Sequence, residues 1–368
     1  MLPKITNVIH FHPTTKYNVG DAAVTYSVKE LLSRYLEISR YTSMDVSDLR
    51  SQIRPGMFKS LIEFGLSGFT SKVIGDSKLA RIINQYDLCV IGGGGLYNWW
   101  FFPMNHKLLN SIDTPIILYG LGHVGNFGLK MLPRAHLKSI IALNKRAKLS
   151  SVRDLETYEF LRRLNITNVQ VIGDPAMFLE KKKPSGVCFE KGKVKIGLNI
   201  ACHDWELQAE YLDRVINECQ KTCKFLIDNL DAQIVYLQHT PNETIVINEL
   251  SKKLPIQVAN YSAHELNWIY SNLDLVIGMQ LHSAIFAFGN CIPVINIAYD
   301  LKNSSFMKLI GQSDKLINVR NVDSERLTET VYRTLNNSKE IKLDFRKLKN
   351  NFWQKQVSFI NDIQSLIC

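Results

Sequence analysis

At 368 residues, 46% hydrophobic and 21% charged, the chain is long enough for two buried cores and has the balance of a globular protein, which excludes a disordered or fibrous one. Its net charge of +10 is spread along the chain, with modest clusters at Lys181–Lys183 and Lys339–Lys355; this favours an anionic partner, and no segment matches a nucleic-acid-binding module. There is no run of about 18–20 uncharged apolar residues and no signal-peptide core, so the expected location is the cytoplasm, and the seven scattered cysteines are expected as reduced thiols with no metal-ligand spacing.

Thr6–Phe11 reads as a strand ending in His-Pro. The loop Asn18-Val19-Gly20-Asp21 then turns into a helix whose apolar residues recur at helical spacing from Ala22 to Tyr35. Asp21 is expected as the N-cap of that helix, or as a carboxylate facing a cleft and serving as general base. Ser43–Leu79 is mixed, with a turn at Arg54-Pro55-Gly56. Leu88–Ile91 is a buried strand running into Gly92-Gly93-Gly94-Gly95, followed by Tyr97, Trp99, Trp100, Phe101 and Phe102. Four glycines after a strand let backbone amides approach a ligand, and the rings beside them suit either a core or a stacked sugar. The lysine and serine of a P-loop are missing.

Pro115–Tyr119 is a further buried strand and empties into Gly120–Asn126. A helix over Ala135–Arg146 leads to strand Leu149–Val152, which ends at Arg153-Asp154 before the helix Leu155–Leu164. A guanidinium at the carboxyl end of a strand suits phosphate or carboxylate, with a salt bridge to Asp154 or Glu156 as the plainer role. Val169–Ile172 reaches the turn Gly173-Asp174-Pro175.

The charged, Pro/Gly-containing stretch from Glu180 to Lys193 marks a linker between an N-terminal domain of residues 1–180 and a C-terminal domain of residues 194–340. Residues 341–368 form a final helix that could pack back on the first domain. Strand Val194–Ile200, a helix near Tyr211–Leu230 and strand Gln233–Leu237, ending at Gln238-His239, restart the alternation. The stretch Leu273–Lys302 reads as strand, polar turn, helix with Gln280 and His282 in its first turn, strand, and a loop holding Tyr299, Asp300 and Lys302. Asp300 is expected as the carboxylate that tunes His282. The fold class is therefore α/β, with two doubly wound Rossmann-like domains facing a central cleft.

The order of motifs is more specific than any one of them. Asn18-Val19-Gly20-Asp21, Gly92–Gly95, Ser151-Val152-Arg153-Asp154, Gly173-Asp174-Pro175, Ile277–Ser283 and Tyr299-Asp300-Leu301-Lys302 together resemble the polysaccharide pyruvyl transferase family, from about residue 15 to about residue 312. The resemblance implies a GT-B-like architecture and transfer of the pyruvyl group of phosphoenolpyruvate onto two hydroxyls of a hexose, as a ketal, in a cell-surface glycan or its lipid-linked precursor. It implies His282 and Asp21 as catalytic, and Arg153, Gln280, Leu281 and Lys302 on the donor side. Asn18, Gly20, Gly93, Gly94 and Gly95 would line the acceptor side.

No cofactor or metal is expected beyond the donor substrate, and a peripheral contact with an anionic membrane is consistent with the charge. Gln280 departs from the family, which has arginine before Leu-His. That departure keeps open a GT-B-type glycosyltransferase with a nucleotide-sugar donor, and beyond it a non-catalytic carbohydrate-binding relative.

Overall fold

The computed structural model describes residues 4–13, 15–46, 76–98, 106–123, 134–202 and 209–367. The expected turn at Arg54-Pro55-Gly56, the rings of Trp99 to Phe102, the loop residues Val124 to Asn126 and the loop residues His203 to Trp205 lie outside them.

Short apolar runs bounded by Gly, Pro and Asp become the central strands, buried on both faces as parallel sheets covered by helices require, while edge strands such as Glu37–Asp45 and Gln170–Val171 are partly exposed. The first six are β1 (Lys4–His12), β2 (Glu37–Asp45), β3 (Leu88–Gly92), β4 (Ile116–Leu121), β5 (Leu149–Val152) and β6 (Gln170–Val171). They form one all-parallel sheet in the order β2-β1-β3-β4-β5-β6.

The second sheet contains β7 (Val194–Asn199), β8 (Ala232–Leu237), β9 (Ile256–Ala259), β10 (Leu275–Gly278), β11 (Val294–Ala298) and β12 (Leu316–Asn318). Its order is β12-β11-β10-β7-β8-β9, again all parallel. Strand order reverses between β1 and β3 in one sheet and between β7 and β10 in the other. At such switch points the loops beyond the carboxyl ends splay apart and leave a crevice for ligands.

Five helices position the site: α1 (Val19–Tyr35), α2 (Leu155–Arg163), α3 (Leu281–Gly289), α4 (Leu301–Leu309) and α5 (Ser338–Ile367). The two halves share a core. Ala22, Ala23 and Val24 of α1 and Ala176 and Met177 of the short 3-10 turn Pro175–Phe178 cluster with α3 and with Ile341, Phe345 and Phe352 of α5. At 30 residues and 1.5 Å per residue, α5 is about 45 Å long and reaches across both halves.

The far end of α5 sets Phe359, Ile360 and Ile363 against the first sheet, each fully buried and each worth about 1.5–3 kcal/mol relative to exposure. Between these two contacts Gln356, also fully buried, accepts from the Tyr119 hydroxyl at 2.6 Å and donates to the carbonyls of Ile172 and Gly173. Among the described residues no helix is long and apolar enough to cross a membrane.

Candidate active site

Arg153 leaves the end of β5 with its backbone N–H bound to the Leu121 carbonyl, and its side chain is only 4% exposed. Two carboxylates hold the guanidinium: Nε is 3.3 Å from Asp154 Oδ2 and Nη1 is 3.3 Å from Asp174 Oδ2. Each carboxylate also caps a helical turn, Asp154 accepting from the Thr157 N–H at 2.7 Å and Asp174 from the Ala176 N–H at 2.9 Å. The plainer salt bridge to Asp154 thus exists, with Asp174 as a second partner that the Gly-Asp-Pro turn concealed. Burial pushes the Asp174 carboxyl up and the Arg153 guanidinium draws it back. The guanidinium lies across Gly122, where a Cβ would sit 2.4 Å from Nε.

Asp21 is not the N-cap of α1. Asn18 takes that place, its side chain accepting from the N–H groups of Gly20 at 2.8 Å and Asp21 at 3.4 Å, so the helix begins three residues earlier than its periodicity implied. With capping done by Asn18, the Asp21 carboxylate receives no hydrogen bond among the described residues. Burial pushes its pKa up to about 6, against the pull of Arg153 and Lys302 and with added repulsion from Asp174 and Asp45.

The glycine loop lies alongside: a Cβ on Gly94, at φ +63, would fall 3.3 Å from Asp21 Oδ1. The Gly93 N–H binds the Tyr119 carbonyl. Tyr97 belongs to the core, fully buried with its hydroxyl on Asn144, so it is not a stacking surface for a sugar.

His282 is the second residue of α3, and its ring packs on Gly20, where a Cβ would sit 2.1 Å from Nδ1. Its Nε2 is buried without a hydrogen-bond partner among the described residues, 3.9 Å from Asp174 Oδ2. Burial first, then the charges of Arg153, His239 and Lys302, hold its pKa well below 6.5, so the imidazole is neutral. The carboxylate beside it is therefore Asp174. Asp300, expected in that role, instead caps α4 by accepting from the Lys302 N–H at 3.1 Å, and its Oδ2 lies 3.3 Å from Lys302 Nζ. Lys302 is accordingly in the first turn of a helix and not in a loop.

Gln280 departs further from expectation. Its side chain donates to Glu243 Oε1 at 2.6 Å, and its backbone N–H donates to Asn199 Oδ1 at 3.0 Å, so its amide N–H₂ is turned into a buried network behind the site. Leu281 is core, at 5% exposure. The residues that converge are Asp21, Arg153, Asp174, His282 and Lys302, drawn from both sheets. Among the described residues no group of three or more His, Cys, Asp or Glu is placed to hold a metal ion.

A family model described as polysaccharide pyruvyl transferase matches residues 18–300, from the cap of α1 to the cap of α4, a span holding Asp21, Arg153, Asp174 and His282. The chain belongs to the polysaccharide pyruvyl transferase family. It is an enzyme of the transferase class, and Lys302 lies two residues beyond the matched span.

Among curated proteins none matches the chain. Solved structures of similar fold include a putative UDP-N-acetylglucosamine 2-epimerase from Listeria monocytogenes, at 14% identity and TM-score 0.57, covering 92% of this chain and 90% of that one. They also include Anabaena HepE in complex with UDP and glucose, at 13% identity and TM-score 0.54, covering 98% of each chain. A third is Os79 from O. sativa, in complex with U2F and trichothecene, at 10% identity and TM-score 0.61, covering 98% of this chain and all of that one. At these identities the likeness shows the GT-B-like fold of the transferase and nothing finer.

Proposed function

We propose that the donor is phosphoenolpyruvate and the acceptor a hexose of a cell-surface glycan or its lipid-linked precursor, with no cofactor needed. The observation that carries this is the meeting of two cations, Arg153 and Lys302, with an unpartnered neutral imidazole at His282 and a carboxylate with a raised pKa at Asp21. Phosphoenolpyruvate presents a phosphate and a carboxylate, which suit a guanidinium and an ammonium that both act on Asp21 and His282. Both cations are already paired with aspartates, so the donor would complete a charge cluster and not fill a purely positive hole.

The reaction joins two sugar oxygens to C2 of the enolpyruvyl group, breaks the C2–O bond to phosphate, and turns C3 into a methyl group. Of the two hydroxyl protons released, one balances the proton gained at C3 and the other leaves on phosphate. Asp21 is suited to take the proton of the attacking hydroxyl, since a base works best with a pKa near the operating pH. His282 is suited to deliver the proton to C3. An anion set against Arg153 and Lys302 offsets two of the charges that keep the imidazole neutral, so donor binding itself favours protonation of His282.

The nucleotide-sugar alternative arises from Gln280, and the inward turn of its amide favours neither donor. That residue lacks the family's arginine charge, and its amide donates to Glu243 and is not held out to a donor; the phosphoenolpyruvate reading rests on Arg153 and Lys302 instead.

The test is release of phosphate from phosphoenolpyruvate that depends on an added hexose glycoside, with the ketal seen by mass spectrometry. His282→Ala should abolish release while leaving the circular dichroism spectrum unchanged. Full turnover in that variant would remove His282 from the chemistry.

A further inference from the structure

On the other face of the α1 N-terminus lies a cavity of about 390 Å³, within the range of ligand pockets. Gly20 and Asp21 face the charge cluster, whereas Asn18, Ala22 and Tyr26, spaced four apart on the helix, face this cavity. Its floor is made by residues just beyond the carboxyl ends of β8 and β9, Gln238, His239 and Asn260, where ligands of open α/β sheets sit. Tyr17, 66% exposed, Tyr26 and Tyr261 stand around it. Among the described residues lining it there is no carboxylate, which removes a metal or cationic ligand, and one lysine, Lys16, is too little charge for a diphosphate. Aromatic rings with amides and hydroxyls are the chemistry of a neutral polyhydroxyl ligand, whose C–H faces stack on rings while its hydroxyls pair with amides.

His239 ties the cavity to the reacting centre. Its carbonyl accepts from the Val19 N–H at 3.0 Å, next to the Gly20 on which the His282 ring rests. Its Nε2 pairs with the Tyr270 hydroxyl at 2.8 Å, while Nδ1 is buried with no hydrogen-bond partner among the described residues, in a residue only 1% exposed. We propose that this cavity is a saccharide subsite holding a neutral sugar unit of the acceptor, the one adjoining the hexose that carries the reacting hydroxyls. This rests on the acceptor being a glycan, as proposed above, and it makes the enzyme selective for at least a disaccharide.

The test compares binding of methyl β-glucoside and methyl β-galactoside with methyl β-cellobioside and methyl β-lactoside by saturation-transfer NMR. Phosphoenolpyruvate binding is measured separately on the same protein. Tyr17→Ala and Asn260→Ala alter exposed residues and should leave the fold intact. The expected result is that a disaccharide binds at least about tenfold tighter than the matching monosaccharide, and that either variant removes most of that gain while phosphoenolpyruvate binds as before. Equal binding of mono- and disaccharides, a gain kept in both variants, or displacement of the disaccharide by UDP would each overturn the subsite. Loss of phosphoenolpyruvate binding alone, with the sugar gain intact, would count against the donor and leave the subsite standing.

Discussion

Two carboxylates, one supplied from each half, are raised by desolvation: the partly buried Asp21 at the charge cluster to about 6, and the fully buried Glu243 behind it to about 7. They differ in what surrounds them. Glu243 accepts from five donors, the amides of Gln280 and Asn199, the hydroxyls of Thr240 and Tyr236, and the N–H of His239. Asp21 accepts from none among the described residues and instead lies in the field of Arg153 and Asp174 of its own half and of Lys302 of the other. A raised pKa is thus no mark of catalysis by itself. A carboxylate whose acceptor sites are filled fixes structure, and one left open beside cations and an unpartnered imidazole is free to take a proton.

Substitution should separate the two by sign. Asp21→Asn removes the base and should lower kcat/KM by about 10²–10⁴, the usual contribution of a positioned acid or base. The same change should stabilise the fold. A carboxyl whose folded pKa, about 6, exceeds its unfolded value of 3.8 binds protons more tightly when folded, so its contribution to stability is present at low pH and lost as pH rises through 6. The gap between Asp21→Asn and wild type should be near zero at pH 4 and grow to about 2–3 kcal/mol by pH 7.5, read from urea midpoints. A variant equal to wild type across that range would show that Asp21 is well solvated.

Arg153→Ala should cost about 3–5 kcal/mol of stability, because it leaves Asp154 and Asp174 buried without their cation. Glu243→Ala should lower stability by at least about 1–3 kcal/mol by stranding the buried donors of Gln280, Asn199 and His239. The opposite signs at Glu243 and Asp21, measured in the same buffer, are the sharpest form of the contrast. The smallest effect is expected at the seam between the halves: Gln356→Leu keeps the volume but strands the Tyr119 hydroxyl, for about 1–2 kcal/mol and with no change in donor affinity.

Much of this was legible in the sequence because parallel strands buried on both faces are apolar runs, and β3, β4, β8 and β11 read that way directly. Strand β2 did not: Glu-Ile-Ser-Arg-Tyr-Thr-Ser-Met-Asp lies at a sheet edge, half exposed, and carries no apolar run. Asp21, Arg153, His282 and Lys302 stood out because they follow strands or open helices. Their partners did not, for partners are chosen by tertiary contact. Asp174 looked like a turn residue, Glu243 lies in the polar-looking Thr-Pro-Asn-Glu of a 3-10 turn, and Gln280 gave no sign that its amide faces inward. Asn18 and Asp21 are both good caps, and local sequence alone does not say which one the backbone uses.

The most direct test of the account is calorimetry of the wild-type protein at low salt with phosphoenolpyruvate and with UDP-glucose, in two buffers of different ionisation enthalpy. Saturable binding of phosphoenolpyruvate is expected, with uptake of protons near pH 7 as the donor's charge draws them onto His282, and weakened at least about tenfold in Lys302→Gln. Binding of UDP-glucose with none of phosphoenolpyruvate would contradict it.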